Sequence, residues 1–244
     1  MSGRVGSITT DIVSDGLVFN MDAANRASTI PSSATIKAFN TVDKTISGSF
    51  INNASYQGPI TSSLLFDGSD DQIFLGPPET FILEKNKPFS TNIWFKSHST
   101  GGILLSKELQ SGNYTGYVLN IDTNKLSFFA YANGLSDGFN VISSTTLNVD
   151  NTTWYNYGLT YDGNNTLTSY NIYLNGNFNK NGGFVFSGDI TSSAQPMLGN
   201  RDQANSTGNN FGGEIACVQI YNRALSAAEV LHNYDANKSD FGLS

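Results

Sequence analysis

One cysteine, Cys217, is present in 244 residues, so no disulfide forms within the chain. It lies in the apolar run Ile215-Ala216-Cys217-Val218 and reads as a packed strand residue rather than a nucleophile. Histidine is nearly absent: His98 and His232 alone are too few for a zinc site without cysteine help. Glutamate occurs only at positions 79, 84, 108, 214 and 229. No two of these share a strand at the E-x-D-x-E or E-x-D-x-x-E spacing by which a retaining glycosidase pairs its carboxylates. Asp70-Asp71 is the tightest acid pair, but neighbours on a strand point to opposite faces. Lysine and arginine total 13 and are scattered. They form no basic stripe of the kind that displaces counterions from nucleic acid, and the net charge of −7 makes an anionic membrane an equally poor partner. No apolar run approaches the roughly 18 residues of a membrane span. Met1–Thr10 has one Arg and no apolar stretch, so the expectation is a chain made in the cytoplasm without a secretory leader.

What the chain does contain is uncharged polarity and aromatic bulk. Asn and Ser each occur 29 times and Thr 21 times, beside 16 Phe and 11 Tyr, while charged residues make up only 14%. A Glu-, Lys- and Leu-rich helical bundle is excluded, and so is disorder. Turn dipeptides recur at Asp15-Gly16, Asp67-Gly68, Asn133-Gly134, Asp137-Gly138, Asp162-Gly163, Asn175-Gly176 and Asn181-Gly182. Between them lie short β-branched and aromatic runs: 16–21, 64–66, 72–75, 91–96, 103–105, 116–121, 126–132, 153–161, 169–174 and 213–221. Many short strands at turn spacing predict an all-β sandwich or barrel.

One segment reads as a helix. Ser226 is a good N-cap, and Glu229 three residues later completes a capping box. Leu225 and Val230 occupy the staple positions, and Leu231 and Tyr234 continue an apolar stripe. About two turns are expected, ending between residues 233 and 237 and covering the sandwich. Residues 23–56 give only weak strand signals. Residues 1–15, small and polar with Ile8, Ile12 and Val13 as apolar anchors, read as an N-terminal arm. Residues 16–244 read as one domain without a linker.

Three segments together resemble one family. Gly16-Leu17-Val18-Phe19-Asn20-Met21-Asp22-Ala23 resembles its opening strand, and Phe66-Asp67-Gly68-Ser69-Asp70-Asp71 its hairpin. The run from Gly212 to Glu229 resembles its closing strand, Asn-Arg turn and capped helix. Phe89–Lys96 and Trp154–Gly163 resemble two central strands. The family is the concanavalin A-like lectin/glucanase superfamily in its laminin-G-like branch, of the kind found in virion proteins of tailed marine phages. The resemblance implies a two-sheet antiparallel jelly roll of about six strands per sheet with one short C-terminal helix. It also implies glycan binding on a sheet face or rim loops in some members, with calcium in some of them.

Sugars are held by aromatic faces and by planar amides and carboxylates, so strand parity nominates a binding face. With Ile93 and Phe95 facing the core, Asn92, Trp94 and Lys96 point the other way. The same parity exposes Asn156, Tyr173 and Asn120. One sheet face carrying Asn92, Trp94, Lys96, Asn120, Asn156 and Tyr173 is therefore the glycan-binding candidate. No cofactor is expected apart from calcium, for which the oxygen-bearing candidates are Asp70 with Asp71, Asp162 with Asn164, and Asn200 with Asp202. The functional expectation is a non-enzymatic structural or adhesion protein of a phage particle, located in the virion. Its partners would be other virion proteins or further copies of the chain. The alternative is a lectin module for host surface polysaccharide.

Overall fold

A computed structural model describes residues 12–25, 27–28, 37–52, 54–57, 62–110, 114–201 and 209–244. In chain order the strands are β1 (Leu17–Asp22), β2 (Lys37–Phe39), β3 (Ser47–Ile51), β4 (Ser55–Gln57), β5 (Ser63–Asp67), β6 (Gln72–Phe74), β7 (Phe89–Ser97) and β8 (Gly102–Leu109). They continue with β9 (Thr115–Asp122), β10 (Lys125–Tyr131), β11 (Gly138–Ile142), β12 (Tyr155–Tyr161), β13 (Tyr170–Leu174), β14 (Asn177–Gly182), β15 (Met197–Leu198) and β16 (Gly212–Tyr221). A single α-helix, α1 (Ala227–Asn237), follows, and a 3₁₀ turn covers Lys238–Phe241.

The strands form two eight-stranded sheets rather than six-stranded ones, stacked as an antiparallel jelly roll. The first runs β14-β13-β12-β7-β16-β5-β4, with β1 pairing the C-terminal half of β16 beside β5. The second runs β11-β10-β9-β8-β15-β6-β3-β2. Every pairing between the described strands is antiparallel. The core between the sheets is aromatic: Phe19, Phe66, Phe95, Phe128, Tyr157, Tyr161 and Tyr170 are all fully enclosed there. Among the described residues no helix is long and apolar enough to cross a membrane.

Turn chemistry sets several registers. Asn175 and Gly176 both have positive φ (50° and 73°) and join β13 to β14 by a two-residue hairpin loop of the kind the Asn-Gly pair favours. Thr123 and Asn124 do the same between β9 and β10 without a glycine (φ 49° and 62°). Two expected turns are corrected. Asn181-Gly182 lies inside β14, paired with Asn171 and Tyr170. At Asp137-Gly138, Asp137 ends a 3₁₀ turn whose carboxylate accepts from Ser187 and Gly188, and Gly138 opens β11. The weak stretch 23–56 contains β2, β3 and the start of β4, short strands of which β2 and β4 are sheet edges and β3 lies next to an edge.

Strand β16 carries a bulge that the sequence does not announce. Ile215 pairs with Phe95 and Cys217 with Trp94, so Ala216 is the extra residue. The bulge reverses parity: Ile215 before it, and Val218 and Ile220 after it, all face the core. Ala216 and Cys217 both join the cluster around Trp94 on the outer face.

Helix α1 starts as its sequence dictates. The Ser226 side chain accepts from the Glu229 N–H, and the Glu229 carboxylate accepts from the Ser226 N–H at 2.8 Å. The helix makes three turns rather than two, and it lies on the outer face of the first sheet. Val230 packs against Gly158, where a Cβ would come within 3.1 Å of its methyl. Asn233 donates to the Tyr221 hydroxyl at 2.9 Å, and its carbonyl oxygen accepts from the Val13 N–H at 2.8 Å. Of the expected arm, residues 1–11 lie outside the described residues, while Ile12 is buried and Val13 is tied to α1.

Candidate functional site

Parity correctly places Asn92, Trp94, Lys96, Asn156 and Tyr173 together on the outer face of the first sheet, across β7, β12 and β13. That face, expected to be open, is instead the seat of the C-terminal segment. Trp94 is fully buried and stacks on Phe241 (4.1 Å between centroids, 14°) and on Tyr234 (5.5 Å, 13°). Asn92 donates to Gln219 at 2.8 Å. Lys96 pairs with Glu214 at 3.0 Å, with Trp154 beneath its ammonium, and Ser63 donates to the same carboxylate. Asn156 is enclosed, and Tyr173 packs with Val230, Tyr221 and Leu225. Neither of the two nominated rings, Trp94 and Tyr173, is open to a sugar. Asn120 is corrected as well: it belongs to β9, in the other sheet.

The outer face of that second sheet is where aromatic and polar groups meet near solvent. On β10, Leu126, Phe128 and Ala130 face the core, and Ser127, Phe129 and Tyr131 point outward. Phe129 lies between Val118 and Asn140 in register, and Tyr131 lies between Gly116 and Gly138. Asn120 stands opposite Ser127. Phe129, Tyr131, Tyr114 and Asn120 are partly exposed, and Asn140 is exposed. Tyr114 and Tyr131 lie 5.7 Å apart at 54°.

Beside these rings, the Arg201 guanidinium sits 3.3 Å from Glu108, whose side chain is fully enclosed, and Gln110 donates to the same oxygen at 3.0 Å. Burial pushes the Tyr131 hydroxyl up from its ordinary pKa, and the Glu108 charge adds to that, so it stays a neutral donor across the physiological range. Together these groups offer apolar ring faces, a fixed cation–carboxylate pair and three amides. They contain no carboxylate pair placed for acid–base work.

The parity of the 126–132 run could have nominated Phe129 and Tyr131, because alternate residues of an apolar strand bordering solvent must point out. Nothing local in the sequence brings Arg201 to Glu108.

The acidic hairpin is real but knitted to itself. Carboxylate oxygens of Asp67, Asp70 and Asp71 lie within 4.8 Å of one another. Asp71 accepts from the Asp67 N–H at 2.9 Å, and Asp67 accepts from the Ser69 N–H at 2.7 Å. Asn52 donates to the Asp70 carbonyl at 2.6 Å. Asp162 turns back on the Asn164 N–H and Asn200 on the Arg201 N–H, so each candidate pair contributes a local hydrogen bond. Asp202 lies outside the described residues.

With this geometry in place, comparison with known proteins defines the class. The profile of the concanavalin A-like lectin/glucanases superfamily matches residues 67–231, more than half of the chain, and the chain belongs to that superfamily. No curated protein sequence matches it. Among solved structures it is similar to the receptor-binding domain of botulinum neurotoxin D (TM-score 0.64, 14% identity, 91% of this chain, 53% of that one). It is similar also to the binding domain of Paraclostridial Mosquitocidal Protein 1 (TM-score 0.67, 15% identity, 91% and 52%). A third is the binding domain of botulinum neurotoxin DC in complex with rat synaptotagmin II (TM-score 0.63, 12% identity, 94% and 52%). The chain spans about half the length of these proteins, and at such identities the likeness is one of fold.

Proposed function

We propose that the chain is a non-catalytic adhesion module that recognises surface carbohydrate through the outer face of the β8–β11 half of the second sheet. The observation that carries this reading is the convergence of Tyr114, Phe129 and Tyr131 with Asn120, Asn140 and the Arg201–Glu108 pair on one accessible face. Sugar C–H faces pack on rings, and sugar hydroxyls need planar donors and acceptors; both are present here. The fold relatives support the reading in kind. They are described as binding domains, and for a further similar structure, of botulinum neurotoxin type C (TM-score 0.62, 13% identity), cell entry is described as dependent upon interaction with two ganglioside molecules.

Its place is a phage particle, with other virion proteins or further copies of itself as partners. The resemblance of the opening, hairpin and closing segments to phage virion domains supports that place, as does the weakly charged, Asn- and Ser-rich composition. Mass spectrometry of purified particles tests it; a protein present in infected cells and never in particles overturns it.

Binding is tested on a glycan array, followed by titration of the strongest sugar with and without chelator. Tyr131→Ala and Arg201→Ala should each weaken binding about tenfold or more. Loss of binding with chelator would assign calcium a part, with Asp67, Asp70 and Asp71 as its first candidates. Binding untouched by both substitutions overturns the proposed face.

A further inference from the structure

At the end of the sandwich where β1 begins and β16 ends, the two sheets part around a cavity of about 580 Å³. Its floor is apolar and buried: Leu83, Phe89, Tyr117 and Ile220. Its lip carries Val42 and Ile82, two of the seven large apolar side chains exposed among the described residues (49% and 42%). A cavity of this size lies within the range that holds small organic ligands. The two apolar side chains at its mouth extend the apolar lining outward, so a ligand longer than the cavity can remain in contact with it.

Both walls are held apart. Phe81 sits in the left-handed region (φ 52°), which a non-glycine residue occupies only when its surroundings require it. Its carbonyl accepts from the Tyr117 hydroxyl at 3.0 Å, and its ring packs edge-on against Phe19, 5.2 Å away. Opposite, the Asp43 carboxylate accepts from both the N–H and the hydroxyl of Thr45, which fixes the turn that carries Val42. With each wall pinned, the cavity is formed before any ligand arrives.

Its charges are uneven. Asp43, Glu79 and Glu84 line it with Lys87. Lys87 bridges to Glu84 at 2.7 Å, and Glu79 faces the charge of buried Lys107. Asp43 alone of the three has no cation against it among the described residues. The hydrogen bonds from Thr45 hold its carboxyl below the usual range, so it stays anionic.

We propose that this cavity is a binding site, separate from the carbohydrate face, for a small amphiphile with an apolar body and one cationic head group. The body fills the space between Phe81, Phe89 and Ile220, and the head group rests against Asp43. Calorimetry with decyltrimethylammonium and with decanoate, each below its micelle-forming concentration, tests it. The expected result is one saturable site, with the cationic chain bound about tenfold tighter than the anionic one. Ile82→Arg, at an exposed position, should weaken the cationic chain by about tenfold with the melting temperature unchanged. Asp43→Asn should abolish the preference while leaving the site. Absence of saturable binding, equal affinity for the two chains, or indifference to both substitutions overturns the proposal.

Discussion

The indole of Trp94 and the ring of Phe241 lie 4.1 Å apart and 14° from parallel, joining a central strand to the last residues of the chain. Phe241 also meets Trp154 at 4.8 Å. The C-terminal 3₁₀ turn therefore completes the outer layer of the first sheet. Phe241→Ala should cost about 2 kcal/mol, the loss of one stacked aromatic and part of its buried area. It should also shift tryptophan emission to the red as water reaches both indoles. Trp94→Ala should cost about 3–5 kcal/mol. Well below its melting temperature that variant should bind carbohydrate as the parent does, because Trp94 is a packing residue. A specific loss of binding by folded Trp94→Ala, with the fold verified by circular dichroism, would return the site to the first sheet.

The helix that covers this face is held at its start by charge. The Arg223 guanidinium contacts Glu229 at 2.6 Å and Asp15 at 2.9 Å. The hydrogen bond from Arg223, then that from the Ser226 backbone, lowers the Glu229 pKa from 4.5 to about 2. A carboxyl depressed on folding stabilises fully above its unfolded value and ceases to do so as pH falls through its folded one. Melting temperature should therefore drop between pH 4.5 and pH 2 with a contribution that Glu229→Gln removes. At neutral pH, Ser226→Ala should cost about 1 kcal/mol through loss of the cap. A Glu229→Gln profile parallel to the parent's across that window would show that the pair is not coupled to folding.

The contrast between these two regions shows what the sequence makes legible. The capping box is encoded within four residues, and it stands as read. Parity on β7 and β12 is equally local, and it put Asn92, Trp94 and Asn156 on one face correctly. What covers that face depends on Val230 meeting Gly158, some 70 positions away, and no periodicity records such a contact. Parity assigns a side chain to a face of its strand but not its strand to a sheet, which is how Asn120 was grouped with the wrong set. The bulge at Ala216 defeats parity outright. The proposed carbohydrate face is illegible for a related reason: Arg201 reaches Glu108 across the pairing of β15 with β8.

Lys107 offers a test of burial. Its ammonium is nearly inaccessible and donates to the carbonyls of Pro78 and Ala194. Desolvation lowers its pKa from 10.5 to about 8, although Glu79 opposes the shift. The unfolded chain thus binds the proton more tightly than the folded one between those values, and stability gains from this group as pH rises from 8 to 10.5. Buried tyrosines such as Tyr117 and Tyr157 act in the opposite sense above pH 10, because folding raises their pKa. The informative quantity is therefore the difference between the parent and Lys107→Met. The parent should gain on the variant over this window in denaturant titrations. A constant difference would mean that the lysine keeps an ordinary pKa in the fold.

The Thr123-Asn124 turn predicts a stabilising change. Both residues hold positive φ, where a β-branched side chain is strained and Asn or Gly is tolerated. Asn124 is a residue type that tolerates this region, and its backbone anchors the turn: its N–H donates to the Thr100 carbonyl at 2.8 Å, and its backbone carbonyl accepts from the Leu147 N–H at 2.7 Å. Thr123 makes only an exposed hydroxyl contact, to Asp122 at 3.0 Å. Thr123→Asn should therefore raise stability by about 0.5–1 kcal/mol through relief of that strain. Thr123→Val, which keeps the branch, should not. Equilibrium unfolding in urea separates the two. A gain for both would place the effect in the hydroxyl contact, and a gain for neither would mean that the left-handed threonine costs the hairpin nothing.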